Sequence, residues 1–349
     1  MNIPLRTLTI ACLVLCLLWG CSASNNRTEY VEDQPGLLTG HEKARIAEYI
    51  AALLTELDIQ IKIVILDSSP ADISREATRL FDIFALGNKT RGAKGLLFLI
   101  DPSGEQVRME IGYDLEHLFT DGFMGYVERM QMAPFFRANR VGPGIEATVE
   151  LLVGKALGAI DESYYTVQEA RPRLGDHFSG GAGAETTVII AHGSPNKAAT
   201  SRAAEFGAQG TPRETLARYL EVLRLRIKDP HLGIYTPATR HFFETWIVTD
   251  AQQDNECRAL ENALSRGCVA VEGDSAVIRF PVSNRRVPPY FFRHDSNGWM
   301  LDFASMSRYI RFNHKNQWFF PTRDHQFMFA FRDVPFDRNG FPQEKTESQ

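Results

Sequence analysis

The sequence predicts an α/β fold, a sheet covered by helices on both faces, followed by a second domain of the α+β class. Three observations predict it. A β-hairpin pattern at Lys94–Asp121 lies among stretches of helical apolar spacing. The order helix, strand, helix, hairpin, helix, helix builds a layered α/β domain. Beyond a joint rich in glycine, alanine and serine, helical spacing returns and then gives way to short strands. The 349 residues suit two domains, and 44% hydrophobic with 23% charged residues is ordinary globular composition. A net charge of −5 without a basic tract argues against nucleic acid as a partner.

The chain opens on a targeting pattern. Met1–Arg6 is weakly positive and Leu8–Trp19 is an apolar run too short for a comfortable membrane span. It ends in Leu18-Trp19-Gly20-Cys21, which resembles a bacterial lipobox, cut before a cysteine that takes lipid; an uncleaved anchor helix is the alternative. Residues 1–21 are therefore expected to be a lipoprotein signal peptide and Cys21 the lipidated residue. Residues 22–32 form a polar tether. Ser22 after the cysteine points to the outer membrane, with the body facing the periplasm. The expected partners are thus a membrane, through the lipid anchor, and a protein bound by the C-terminal domain.

The first domain is assigned to residues 33–165. His41–Leu57 carries a helical stripe with Thr39 as a cap, Ile61–Leu66 is a buried strand, and Ile73–Phe84 is a second helix with Asp72 or Ser69 as its cap. Gly95–Ile100 and the alternating Val107, Met109 and Ile111 form the hairpin around Pro102-Ser103-Gly104. Gly122–Phe136 and Gly144–Ile160 read as further helices. Directly after the hairpin, Asp114, Glu116 and Asp121 gather past the carboxyl end of a strand, where α/β sheets place ligand sites.

Gly112-Tyr113-Asp114-Leu115-Glu116, with Asp121 five residues on, resembles the G-Y-G-L-E signature of the TPM domain, a family of membrane-associated or exported domains. Asp33-Gln34-Pro35-Gly36-Leu37-Leu38 resembles the family's opening D-x-x-G-x-L. The resemblance implies a divalent metal, and oxygen ligands in loops suit Ca²⁺. Carried over residue by residue, the metal candidates are Asp33, Glu116 and Asp121, with Asp114 an extra acid where the family has glycine. The alternative is that Asp114, Glu116 and Asp121 cap the following helix. The family's later segment, P-x-F-R-x-G-D-Y-x-x-G, keeps Pro134, Phe136, Arg137 and Gly144 here, but Asn139, Arg140 and Val141 replace its Gly, Asp and aromatic. Two functions follow from these residues. The first is a lipid-anchored, Ca²⁺-binding accessory or interaction module of the cell envelope. The second is a metal-dependent acid phosphatase acting on phosphomonoesters, an activity attached to some family members. No independent hydrolase motif accompanies it.

Residues 166–210 read as a flexible linker in which Thr187–Ala191 is a short docked strand. The C-terminal domain, residues 211–335, begins at Thr211 and Pro212 with a capped helix. Thr239–Trp246 and Ala251–Leu264 are further helices. Strands follow at Val269–Val271, Ser275–Pro281, Tyr290–His294 and Gly298–Phe303, with a hairpin turn at Asp295–Gly298. Helices followed by a meander ending in Gly-Trp-x-x-Asp resemble the nuclear-transport-factor-like cone. Its aromatics either form plain core or line a pocket, where His294 and Asp302 would be an acid/base pair. Cys257 and Cys268 are expected to pair in a disulfide, the alternative being two buried thiols. Residues 336–349 are a tail.

Overall fold

A computed structural model of the chain describes residues 30–158, 185–187 and 205–344, apart from Glu105, Asn284 and His314. The expected signal peptide, Cys21, the tether up to Glu29 and most of the linker lie outside the described residues. The chain divides into two compact units. Of the described residues, the first holds those from 30 through Gly125, with Arg140–Glu146 and a strand at Glu185–Thr187; the second holds Tyr126–Asn139, Ala147–Gly158 and those from 205 onward.

Unit 1 is built on a five-stranded sheet in the order β1 (Val31–Asp33), β2 (Gln60–Ile65), β3 (Gly95–Asp101), β4 (Gln106–Ile111) and β5 (Glu185–Thr187). The first three strands are mutually parallel, while β4 and β5 join antiparallel. Every residue of β2 and β3 is buried, as a near-continuous apolar run requires when both faces are covered. Helix α1 (Gly40–Leu57) starts on a full capping box between Thr39 and Glu42 and ends at Asp58, whose φ is 56°. Helix α2 (Ile73–Ile83) is capped by Asp72, which accepts from the Arg75 amide. Its Ile73 and Ala77 pack on Val64, Leu97 and Leu99. The opposite face, Ile61, Ile63, Leu96, Phe98, Val107 and Met109, is equally buried. The α/β sheet covered on both faces is therefore present, and β1 adds a short parallel strand just where the tether was expected to end.

A 3-10 turn at Tyr113–Leu115 leads to helix α3 (Asp121–Tyr126), which continues through a π-helical stretch (Val127–Met132) into α4 (Ala133–Arg137). Helix α5 (Val141–Ala156) follows a turn in which Asn139 has φ 54°. Asparagine tolerates that left-handed conformation, so it can stand where the TPM pattern has glycine.

Unit 2 contains helices α6 (Pro212–Arg224), α7 (Pro237–Thr245) and α8 (Asp250–Ala263), each capped by a threonine: Thr211, Thr236 and Thr249. An antiparallel meander follows, in the order β6 (Cys268–Glu272), β7 (Ser275–Arg279), β8 (Tyr290–Asp295) and β9 (Gly298–Leu301). Helix α9 (Phe303–Tyr309) and a small pair, β10 (Arg311–Phe312) with β11 (Trp318–Phe319), complete it. Phe291, Phe292, Trp318, Phe320, Phe327 and Phe331 are buried in one core cluster, which is the plain-core role for these aromatics. The expected disulfide is not formed: Cys257 and Cys268 are free thiols. Cys257 lies partly buried against the core, its thiol pushed up to about 11 chiefly by burial. Cys268 opens β6 with its side chain in solvent. A turn at Leu264–Gly267 intervenes and turns the two thiols to different environments.

Candidate functional site

Because β1, β2 and β3 are parallel, their carboxyl ends share one edge, the edge where such sheets bind ligands. Each strand there ends at or near an aspartate: Asp33, Asp67 and Asp101. Asp33 accepts hydrogen bonds from the Leu37 and Leu38 amides, each at 3.0 Å, and pairs with Lys43 Nζ at 2.8 Å. Burial alone would raise its pKa, but the Lys43 bond and the two amides outweigh it and hold the carboxyl below its ordinary value. Asp101, also buried, accepts from Ser69 Oγ at 2.9 Å and from the Gly104 amide at 2.8 Å, which fastens the tip of the β3–β4 hairpin. A Cβ on Gly104 would stand 2.2 Å from Asp101 Oδ2, so the tip closes tightly onto the carboxylate. Asp67 is exposed and accepts from Ser68 Oγ at 3.1 Å. The sequence reading missed Asp67 and Asp101; the signal was an aspartate closing each apolar run.

Asp114, a second expected ligand, lies at the opposite end of the sheet. Strand β4 runs antiparallel to β3, so its carboxyl end meets the amino end of the parallel strands. Asp33 aligns with Ile65 and thence Ile100, whereas Ile111 aligns with Leu96. Four residues along β3 separate those rows, about 13 Å at roughly 3.3 Å per residue. Asp114 lies past Ile111 and accepts from the Ala93 amide at 3.0 Å, tying the loop before β3 to the 3-10 turn. Glu116 is exposed just after that turn, and Asp121 is the first residue of α3, its side chain outside the described residues.

Among the described residues no three His, Cys, Asp or Glu side chains come together in a way that could hold a metal. Ca²⁺ takes six to eight oxygen ligands. The carboxylate oxygens of Asp33 already accept from two amides and pair with a lysine, and Asp114 accepts from an amide. Among the described residues, Asp33, Asp114 and Glu116 do not gather into the calcium site that the resemblance implies. The geometric reason is the strand reversal: the carboxyl-edge rule applies to β1–β3, and the sequence reading extended it to the antiparallel β4.

Unit 2 holds a different polar centre. Glu256 on α8 accepts hydrogen bonds from Tyr219 Oη of α6 at 2.9 Å and Tyr290 Oη of β8 at 2.8 Å. Burial raises the Glu256 pKa, against the lowering effect of the two hydroxyls. Phe303 packs on both tyrosines, with centroids 5.2 Å from Tyr219 and 6.2 Å from Tyr290. The arrangement locks two helices and a strand to one carboxylate. The expected His294–Asp302 pair is not formed. Asp302 caps α9 by accepting from the Ser305 amide at 3.0 Å and Ser305 Oγ at 2.7 Å, while His294 is exposed and lies against Trp299.

No curated protein sequence matches the chain. The solution NMR structure of the N-terminal domain of a protein from P. gingivalis is similar at 23% identity, over 39% of this chain and 87% of that one, with a TM-score of 0.35. Residues 31–155 match the family model of the TPM domain, a span that holds the opening Asp33–Leu38 motif, the hairpin and the Gly112–Glu116 signature. This part of the chain is a TPM domain.

Proposed function

We propose that the chain is a lipid-anchored accessory protein of the bacterial cell envelope whose TPM domain and C-terminal unit act as interaction modules. The observation that carries this reading is the division of the signature acids between the two ends of the sheet, with Asp33 and Asp114 bonded to backbone amides. A phosphomonoesterase that uses a metal needs several ligands on one ion and an open position for substrate. The N-terminal sequence supports the anchor: a short apolar run closes on Gly20-Cys21. No helix of the described residues is long and apolar enough to cross a membrane.

The test compares the full chain with Asp121→Asn in thermal melts with and without Ca²⁺, alongside turnover of a generic phosphate ester. A ligand that binds only the folded state raises Tm. The expected result is no calcium shift and no turnover above a blank. A calcium-dependent rise that disappears in Asp121→Asn, together with turnover lost in the same variant, would overturn the reading in favour of the metal-dependent acid phosphatase. For the anchor, Cys21→Ala is expected to abolish incorporation of labelled fatty acid; unchanged labelling would refute it.

A further inference from the structure

Strand β6 is the edge of the four-stranded sheet in unit 2. Proteins ordinarily blunt such an edge with charge, proline, a bulge or a covering element. Here the strand is regular over all five residues, pairs with β7 in unbroken register from Cys268↔Arg279 to Glu272↔Ser275, and contains no proline. Val269 and Val271 are 39% and 55% exposed. Among the described residues no strand or isolated bridge pairs with its outer side.

The direction of the free backbone groups follows from the turn. Gly273 and Asp274 join β6 to β7 as a two-residue loop, with Gly273 at φ 57°. Such a loop closes on a pair that exchanges both hydrogen bonds, and bonded and non-bonded pairs then alternate. Glu272, Ala270 and Cys268 therefore bond to β7, and Val269 and Val271 turn their N–H and C=O groups to the open side.

The sequence along this edge is a chemical mirror of itself about Ala270, except that Cys268 stands opposite Glu272. Arg266-Gly267-Cys268-Val269-Ala270-Val271-Glu272-Gly273-Asp274 has valines on either side of Ala270, glycines three residues out, and a base and an acid four residues out. When two copies lie antiparallel about Ala270, Val269 faces Val271 of the other copy and both exchange their outward hydrogen bonds. Arg266 of each copy then comes beside Asp274 of the other, and both residues are exposed. A parallel arrangement would set arginine near arginine and aspartate near aspartate, which is unfavourable. A slip of one residue would face bonded against non-bonded groups. A slip of two would set Val271 against Gly267 and lose the charge match. Addition of a foreign strand makes no use of this symmetry.

We propose that β6 is a homodimer edge, where a second copy pairs antiparallel about a two-fold axis at Ala270 and joins two four-stranded sheets into one of eight strands. The charge and size complementarity of the edge with itself selects a second copy as the occupant.

The experiment uses the full chain in detergent. Sedimentation is expected to give the mass of a dimer, and Val271→Lys is expected to give a monomer that still melts cooperatively, with a Tm that no longer depends on protein concentration. In a Cys268→Ser background, Ala270→Cys is expected to form a reducible dimer under mild oxidation. Non-bonded antiparallel partners have Cα atoms about 4.5 Å apart, within disulfide reach. Cys268→Ser alone and Val269→Cys in that background should not cross-link. A monomer at every concentration measured would overturn the proposal. So would a dimer that survives Val271→Lys and fails to cross-link at position 270, since it would use another surface.

Discussion

At the scale of single residues, the acids of the TPM signature act first as fasteners. Asp33 closes the turn after β1 and receives Lys43 from the first turns of α1, so one carboxylate joins strand, turn and helix. Asp33→Asn removes the charge but keeps the shape. It is expected to lower stability near neutral pH by roughly 1–3 kcal/mol, the range for charge-assisted bonds whose partner is lost. The pKa of Asp33 is lowered in the fold from 3.8. Its contribution is therefore complete above the unfolded value and is lost as pH falls through the folded one. Melting temperatures of the two proteins should differ at pH 7 and converge in acid. A difference that stays constant with pH would mean that the carboxylate charge contributes nothing and that the hydrogen-bond geometry alone is responsible. Asp114 fastens the loop before β3 by accepting from the Ala93 amide.

At the scale of elements, the signature glycine is explained by a close approach. A Cβ on Gly112 would stand 2.1 Å from the Ala93 carbonyl oxygen, and the Gly112 amide bonds Gly95 O at 2.8 Å. The obstacle is backbone, which cannot rotate away. Gly112→Ala is expected to destabilise unit 1 by about 1–3 kcal/mol, as overpacking does. Thermal denaturation should show it, and an unchanged Tm would mean that the loop before β3 yields freely. Local elements of this kind were legible in the sequence. Thr39, Asp72 and Thr211 cap the helices expected of them, and the hairpin turns at Pro102–Gly104 and Asp295–Gly298 lie where turn chemistry placed them. The candidate site was legible in its parts and illegible as a whole. Which end of a sheet a loop occupies depends on strand direction, and the antiparallel β4 carries its acids away from Asp33. The three-residue β1 was too short to show a period. The two cysteines were separated by a turn whose direction no spacing encodes. At the β6 edge the reverse holds: the mirror pattern was present in the sequence, but its meaning depends on knowing that the strand has a neighbour on one side only.

At the scale of the whole molecule, unit 2 contains two titrating groups that act on stability in opposite directions. The pKa of Glu256 is raised above 4.5 by burial, against its two tyrosine hydrogen bonds. Its contribution is full below the unfolded value and is lost as pH rises through the folded one. His325 lies stacked on Tyr309 at 4.5 Å and edge-on to Phe320 at 4.8 Å, and burial lowers its pKa below 6.5, with Asp324 opposing. Its neutral form is favoured in the fold, so its contribution is full above the unfolded value and is lost as pH falls through the folded one. Neutral replacements separate the two. Relative to Glu256→Gln, the natural protein should lose stability as pH rises from below 4.5 toward neutrality; relative to His325→Phe, it should lose stability as pH falls from neutrality through 6.5. Thermal melts of the three proteins over that range would give Tm differences that slope in opposite senses. Two flat differences would show that neither group titrates differently in the folded and unfolded chains. Glu256→Ala is a harsher case, because it leaves the Tyr219 and Tyr290 hydroxyls buried without their acceptor, at about 1–3 kcal/mol each. A loss larger than that of Glu256→Gln at every pH would identify Glu256 as the joint that holds α6, α8 and β8 together, beyond its role as a titrating group.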